Sequence, residues 1–259
     1  MKTKVLFLGT GTSSGVPSIL CSCKVCTSDN PKNNRLRSSI LVSMDDRNIL
    51  IDTATDLRQQ ALRYRFSHVD AILFTHAHAD HVHGIDEIRI FSFHGGTPIP
   101  CYGDPQTIAT IHRQFPYIFV PEEERESFIP RITTHEAAGP FRLYDREITP
   151  VPILHGKQTI LGYRIGPVAY LGDCNGIPEE SEALLQDLDT LILDALRIEP
   201  HPTHFSLKQA VRAAQRIRAK RTLFTHMAHQ LDHDEINRSL PAGMALAYDG
   251  QILEFEEDV

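Results

Sequence analysis

Nowhere in this 259-residue chain do apolar residues run for the ~18 positions that a bilayer-crossing helix needs. A membrane-spanning helix is therefore not expected. Tryptophan is missing altogether, an absence without functional meaning. Basic residues are not in excess: 26 Lys and Arg stand against 33 Asp and Glu, a net charge of −7. A protein that wraps nucleic acid nonspecifically needs a dense Lys/Arg surface, so nucleic acid is not an expected partner. Small anionic substrates stay in play, because bound cations can supply positive charge locally. No internal repeat, low-complexity tract or Gly/Ser linker interrupts the sequence. The opening segment resembles a secretory leader only superficially. Its apolar run, Val5-Leu6-Phe7-Leu8, breaks at Gly9-Thr10-Gly11, and no A-x-A-type cleavage site follows, so it reads as a first β-strand.

What is present suffices for a substantial core: 41% hydrophobic and 23% charged residues are ordinary for a globular protein. Short apolar, β-rich runs recur at 5–8, 39–42, 49–51, 71–74, 148–153, 168–171, 191–193, 223–224 and 252–255. Helical signals fall between some of them. Asp104-Pro105 is an N-cap followed by proline at the first helical position, opening a helix to about Phe115. Ser206 with Gln209 forms a capping box ahead of an apolar stripe of Leu207, Ala210, Val211, Ala214 and Ile217. Asp232 with Glu235 opens a further short helix, and the Pro- and charge-rich stretch 115–140 reads as an excursion over the surface. The expectation is one α/β domain over residues 1–259 built on two β-sheets.

Chemistry concentrates in Thr75-His76-Ala77-His78-Ala79-Asp80-His81, directly behind the apolar strand 71–74. Imidazole and carboxylate suit zinc, iron and manganese. Strand alternation points His76 and His78 to one side, while a helix starting near Asp80 sends Asp80 and His81 elsewhere, so one segment can serve two adjacent metals. A second cluster is Cys21, Cys23 and Cys26. Cysteines so close make strained disulfides, and metal ligation in a reducing compartment, by default the cytoplasm, is the more natural reading. With His229 they supply three thiolates and an imidazole, a closed tetrahedral zinc set in a loop at about 21–26 with no open position for water.

The H-x-H-x-D-H run resembles the signature of the metallo-β-lactamase superfamily, and the likeness extends over nearly the whole chain. It implies an αβ/βα sandwich, two packed mixed β-sheets with outer helices. It also implies the remaining ligands, in order: His155 completes a first metal site with His76 and His78, Asp173 bridges, and His226 joins Asp80 and His81 on the second metal. Asp52 stands where the family has an aspartate that accepts the second N–H of a ligand histidine. The Cys₃His set narrows the resemblance to the cyclic phosphodiesterases of phosphonate degradation, although proteins of pyrroloquinoline-quinone biosynthesis share a related zinc loop.

That resemblance implies a hydrolase of a small phosphodiester such as 5-phosphoribosyl 1,2-cyclic phosphate. It would use two divalent ions (zinc or manganese) at the active site and one structural zinc, and would form a homodimer. Asp80 and His204 are the expected catalytic residues, His204 as general acid for the leaving alkoxide, with His201 the second choice. The competing readings are a tRNA 3′-end endonuclease, against which the charge and the lack of a basic RNA-binding arm argue, and a noncatalytic metal-binding relative. Residues 9–15, Gly-rich but without the G-K-[ST] ending of a phosphate loop, read as a tight turn whose backbone N–H groups could meet substrate. Arg35 and Arg37 are open between phosphate contact and a solvated strand start. Cys101 reads as an inert core residue, Cys174 as a residue without a metal role, and His68, His94, His112, His135 and His233 as surface residues.

Overall fold

The computed structural model describes residues 2–125 and 127–256. Its strands, in chain order, are β1 (Lys2–Gly9), β2 (Ser39–Met44), β3 (Arg47–Ile51), β4 (Ala71–Leu73), β5 (Ile99–Gly103), β6 (Ile132–Glu136), β7 (Phe141–Leu143), β8 (Arg146–His155), β9 (Gln158–Ile165), β10 (Val168–Leu171), β11 (Thr190–Asp194), β12 (Arg221–Thr225), β13 (Met244–Leu246) and β14 (Ile252–Glu256). The α-helices are α1 (Leu57–Tyr64), α2 (Ala79–Val82), α3 (Ile88–Gly95), α4 (Pro105–Gln114), α5 (Glu179–Ala183), α6 (Leu207–Ile217) and α7 (His233–Asn237). The chain forms two compact units: one takes the chain up to residue 8, residues 39–138, and the chain from residue 252; the other takes 9–38 and 139–251.

The first unit holds a seven-stranded sheet in the order β14-β1-β2-β3-β4-β5-β6. Strands β3, β4, β5 and β6 run parallel, with Ile51 opposite Leu73 and Leu73 opposite Tyr102. Parallel strands buried on both faces read as continuous apolar runs, and Ile49, Leu50, Ile51, Ala71, Ile72 and Leu73 are all buried. Burying a side chain such as Ile72 contributes about 1.5–3 kcal/mol, which firmly anchors the three-residue strand that launches His76. The stretch 115–140 is not wholly an excursion: β6 pairs with β5 along the sheet edge. Its sequence, Ile-Thr-Thr-His-Glu, is β-branched but half-exposed, as suits an edge strand.

The second unit holds another seven-stranded sheet, ordered β13-β12-β11-β10-β9-β8-β7. Here β10, β11, β12 and β13 are parallel, while β7–β8, β8–β9 and β9–β10 are antiparallel. Helix α6 forms as its sequence directs. Ser206 and Gln209 make the capping box, and the stripe Ala210, Ala213, Ala214 and Ile217 is buried in a core with Leu171, Leu191, Leu193 and Phe224. Asp104 caps α4 by accepting from Gln106 N–H and Thr107 N–H, and Asp232 caps α7 by accepting from Glu235 N–H. No helix among the described residues is long and apolar enough to cross a membrane.

Candidate metal centre

Open α/β sheets bind ligands outside the carboxyl ends of parallel strands, and both units place their chemistry there. In the first, Asp52 directly follows β3 and residues 75–81 follow β4. Asp52 is fully buried and takes a left-handed backbone, φ 63°, a conformation that costs a non-glycine residue about 1–3 kcal/mol and persists only where its surroundings dictate it. Those surroundings are hydrogen bonds. Oδ1 accepts from Thr75 N–H at 2.8 Å, and Oδ2 accepts from the Thr75 hydroxyl at 2.9 Å and from His81 Nδ1–H at 2.7 Å. Burial drives the Asp52 carboxyl pKa up, and the His81 imidazole is first among the groups that oppose it.

With its proton given to Asp52, the Thr75 hydroxyl is left as acceptor for His76 Nδ1–H at 3.0 Å. Both His76 and His81 therefore carry their proton on Nδ1 and present Nε2. His76 Nε2 lies 2.9 Å from His78 Nδ1, close to the roughly 3.3 Å that two nitrogens on one tetrahedral ion would keep. His81 Nε2 lies 3.3 Å from Asp80 Oδ2. The turn thus sorts its donors into His76 with His78 and Asp80 with His81. His83 caps the end of α2 and packs its ring edge-on against Phe115.

In the second unit three adjacent parallel strands carry site residues at their carboxyl ends: Asp173 lies two residues past β10, Asp194 ends β11 and His226 directly follows β12, while His155 ends β8. His155 Nδ1–H donates to Thr203 O at 2.8 Å, which again leaves Nε2 for a metal. His226 holds φ 58°; its Nε2 is 3.2 Å from Asp173 Oδ1 and its Nδ1 is 3.8 Å from Asp194 Oδ1. His204 lies parallel to it, ring centroids 4.8 Å apart, with Nε2 4.0 Å from Asp173 Oδ2 and Nδ1 2.9 Å from Asp194 Oδ2. Two imidazoles are thus held between two carboxylates. Asp194 Oδ2 also accepts Cys174 N–H at 3.0 Å, and as a carboxylate, with no proton to donate, it accepts from His204 Nδ1–H. Burial raises the Asp194 carboxyl well above the usual range, and His226 opposes the shift.

Asp194 is not among the site residues expected from the sequence. Its signal was available: Leu191-Ile192-Leu193-Asp194 is an apolar strand closed by a carboxylate, much as Asp173 follows the apolar strand 168–171 after one glycine. Arg35, expected on a solvated strand start or against a phosphate, is instead buried. Its guanidinium donates to Leu231 O at 2.5 Å and Ala228 O at 3.1 Å, bracing the loop that carries His229. Arg37 Nε donates to Ser13 O. Residues 9–15 do form a tight turn, with Gly15 N–H donating to Thr12 O, and Gly9 is there because a Cβ would stand 2.1 Å from Arg37 O. His233, expected at the surface, is buried, with its N–H donated to Asn33 Oδ1.

The cysteine loop closes on His229 within the second unit. His229 Nδ1 stands 3.1, 3.4 and 3.5 Å from the sulfurs of Cys21, Cys23 and Cys26. One N–H cannot serve three sulfurs at once. Tetrahedral zinc with these ligands sets sulfur–nitrogen spacings of roughly 3.5 Å, so the residues fit that ion. The thiols differ: hydrogen bonding, first from Cys26 N–H, draws Cys23 down to about 6, and burial pushes Cys26 up to about 11. Cys101 and Cys174 are buried and lie apart from this set.

Comparison with known proteins accords with this inventory. A family model described as a beta-lactamase superfamily domain matches residues 47–227. The crystal structure of a diphosphatase from the PhnP family is 44% identical with a TM-score of 0.93, covering 98% of each chain. Zinc-bound PqqB from Methylobacterium extorquens, 20% identical with a TM-score of 0.78 over 96% of this chain and 99% of its own, shares the fold. An octanoyltransferase from Porphyromonas gingivalis is 33% identical over 250 residues; the match covers 95% of this chain, which spans about half, 50%, of that relative. Two seven-stranded mixed sheets, His/Asp donors at their strand ends and a family match over most of the sequence carry one conclusion: the chain belongs to the beta-lactamase superfamily, is a hydrolase of the metallo-β-lactamase fold, and is akin to its PhnP family.

Proposed function

We propose that the protein hydrolyses a small phosphodiester, with 5-phosphoribosyl 1,2-cyclic phosphate as the model substrate. In this reading His76, His78 and His155 hold one divalent ion and Asp80, His81 and His226 a second, with Asp173 shared, while Cys21, Cys23, Cys26 and His229 hold a structural zinc. When bound, the paired ions supply an ionised water at neutral pH and positive charge for the phosphoryl oxygens. The side chains do the rest. Asp52, Thr75 and Thr203 O fix the tautomers of His81, His76 and His155, so that Nε2 of each is ready as a ligand. Asp194 holds His204 with Nε2 directed toward Asp173, where a protonated ring can hand its proton to a departing alkoxide.

The observation that carries this reading is the His204–Asp194 pair, 2.9 Å apart and buried, beside Asp173 and His226. An oriented imidazole with a carboxylate behind it is the equipment an alkoxide leaving group needs. A second reading has its own support: 44% identity to a diphosphatase favours a phosphoric anhydride, whose phosphate leaving group needs far less help from an acid. The variant His204→Ala separates the two. Turnover of a 2′,3′-cyclic nucleotide is expected to fall by about 10²–10⁴, and that of bis-nitrophenyl phosphate much less. Equal losses on both would remove His204 from the acid role, and faster cleavage of a nucleoside diphosphate than of any diester would favour the anhydride. Pre-tRNA, which a net charge of −7 disfavours, and an octanoyl thioester complete the panel.

A further inference from the structure

The loop between β11 and α6 presents a second imidazole, that of His201, and its surroundings are unusually restrictive. His201 stands between Pro200 and Pro202. The first proline has a fixed φ, and the second confines His201 to extended backbone. Arg197 donates to Glu199 O at 3.2 Å and to Pro200 O at 2.9 Å, and Asn175 Nδ2 donates to Pro202 O at 2.8 Å. His155 Nδ1–H donates to Thr203 O. The loop is therefore tied to the residue that ends β8 and to the segment just past Asp173, and His201 is held on a rigid mount.

Its tautomer follows from one bond. Thr203 N–H donates to His201 Nδ1 at 3.3 Å, with the Thr203 hydroxyl at 3.2 Å from the same atom. A backbone N–H can only donate, so Nδ1 is the acceptor and the neutral ring keeps its proton on Nε2. His204 is wired the opposite way, with Nδ1–H given to Asp194. The two rings are tilted at 48° with centroids 5.1 Å apart. His201 is half-buried; burial, and next the neighbouring His204 and Arg197, lower its pKa.

We propose that His201 is a specificity-determining substrate contact, a fixed Nε2–H donor to an oxygen of the leaving group, selecting a polyol such as a sugar over an aryl group. The role rests on the phosphodiester reading above and differs from that of His204. One imidazole exchanges a proton with the leaving group, and the other donates a hydrogen bond without ionising.

The test compares a 2′,3′-cyclic nucleotide with bis-nitrophenyl phosphate in the metal-loaded enzyme. His201→Ala is expected to raise KM for the cyclic nucleotide about 3–10-fold, the worth of one neutral hydrogen bond. Its kcat stays within about twofold, and both constants for the nitrophenyl ester are unchanged. His201→Gln, which returns an N–H donor, recovers most of the loss. An unchanged KM on both substrates overturns the proposal, as does a fall in kcat accompanied by a moved basic limb of the pH profile, which would make His201 a proton donor.

A second readout is independent of turnover. Nitrogen-15 NMR is expected to show His201 as the Nε2–H tautomer, with its Nε2 resonance shifting when ribose 5-phosphate is added. The Nδ1–H tautomer, or no shift at saturating ribose 5-phosphate, overturns the proposal. If no diester is cleaved, the phosphodiester reading fails on its own and the NMR experiment still decides the role of His201.

Discussion

Asp52→Asn exchanges one oxygen for an N–H₂ group at a fully buried carboxylate that accepts three hydrogen bonds. The amide oxygen can still accept Thr75 N–H, now 2.8 Å from Oδ1. The new N–H₂ then faces His81 Nδ1–H at 2.7 Å and the Thr75 hydroxyl at 2.9 Å, donor against donor. The hydroxyl can turn and accept, but the imidazole has only one remedy: it must move its proton to Nε2, the atom 3.3 Å from Asp80 Oδ2 that is proposed to bind metal. The lost bond involves a charged group in a fully buried pair, worth about 1.5–3 kcal/mol, and losing the carboxylate behind a ligand histidine typically weakens metal binding about 10–100-fold. Because burial already raises the Asp52 pKa, the amide also removes a desolvation cost, so the metal-free protein should lose less stability than the metal-loaded one. Chelator competition against zinc provides the measurement. One class of site should weaken by about 10–100-fold, with the Cys₃His class unmoved. A folded Asp52→Asn protein with every class of site unchanged would refute the reasoning.

Gly84→Ala should be severe, because the added Cβ would stand 2.1 Å from Ala54 O and 2.8 Å from Leu57 Cβ. A loss of about 1–3 kcal/mol or more in a denaturant melt is expected, and a change below measurement error would contradict the packing. Cys26→Ser should leave a protein with one fewer zinc by elemental analysis and a lower thermal midpoint; an unchanged zinc count would dismiss the Cys₃His set. Asp232→Ala removes the cap of α7, worth about 1 kcal/mol, and its effect should depend on pH. The Asp232 pKa is lowered, first by Glu235 N–H. Its contribution is therefore fully present above the unfolded carboxylate value of about 3.9 and is lost as the pH falls through the lower, folded value. Melts from pH 7 to pH 3 should show the gap from wild type narrowing at the acid end; a constant gap would show that the carboxylate charge is not involved.

The strands that deliver site residues were the most legible part of the sequence, because buried parallel strands are written as unbroken apolar runs. Each of 49–51, 168–171, 191–193 and 223–224 lies in an observed strand, and 71–74 overruns its strand, Ala71–Leu73, by one residue. The antiparallel strands β1, β2, β8 and β14 were legible too, at 5–8, 39–42, 148–153 and 252–255, and what escaped were elements without a clear apolar pattern. Strand β6 is half-exposed and polar, and α1 buries only Leu57 and Gln60, too few positions to leave a helical stripe. Among single residues, Arg35 and His233 were misplaced because their polar partners come from afar: Ala228 and Leu231 for the arginine, Asn33 for the backbone of the histidine. Sequence spacing carries no trace of such contacts. Asp194 is a different case, since its strand-end position was visible and only its neighbours on β10 and β12 show what it faces.

One physical device recurs at the histidines of the site. A metal takes a lone pair, and an imidazole offers one only from the nitrogen that lacks the proton. His76, His81 and His155 each spend Nδ1–H on a fixed oxygen, those of Thr75, Asp52 and Thr203 respectively, so the tautomer a ligand needs is already selected before any ion arrives. These acceptors are of different kinds, a hydroxyl, a carboxylate and a backbone carbonyl, which argues that the protonation pattern and not any one bonding partner is what the fold specifies. His201 inverts the pattern: its Nδ1 receives a backbone N–H, which removes that atom's lone pair and leaves a donor at Nε2. The same ring is thus suited to ligate or to donate a hydrogen bond according to whether its surroundings offer Nδ1 an acceptor oxygen or an N–H. For this reason the sequence could name both His204 and His201 but could not show that their rings are wired in opposite ways.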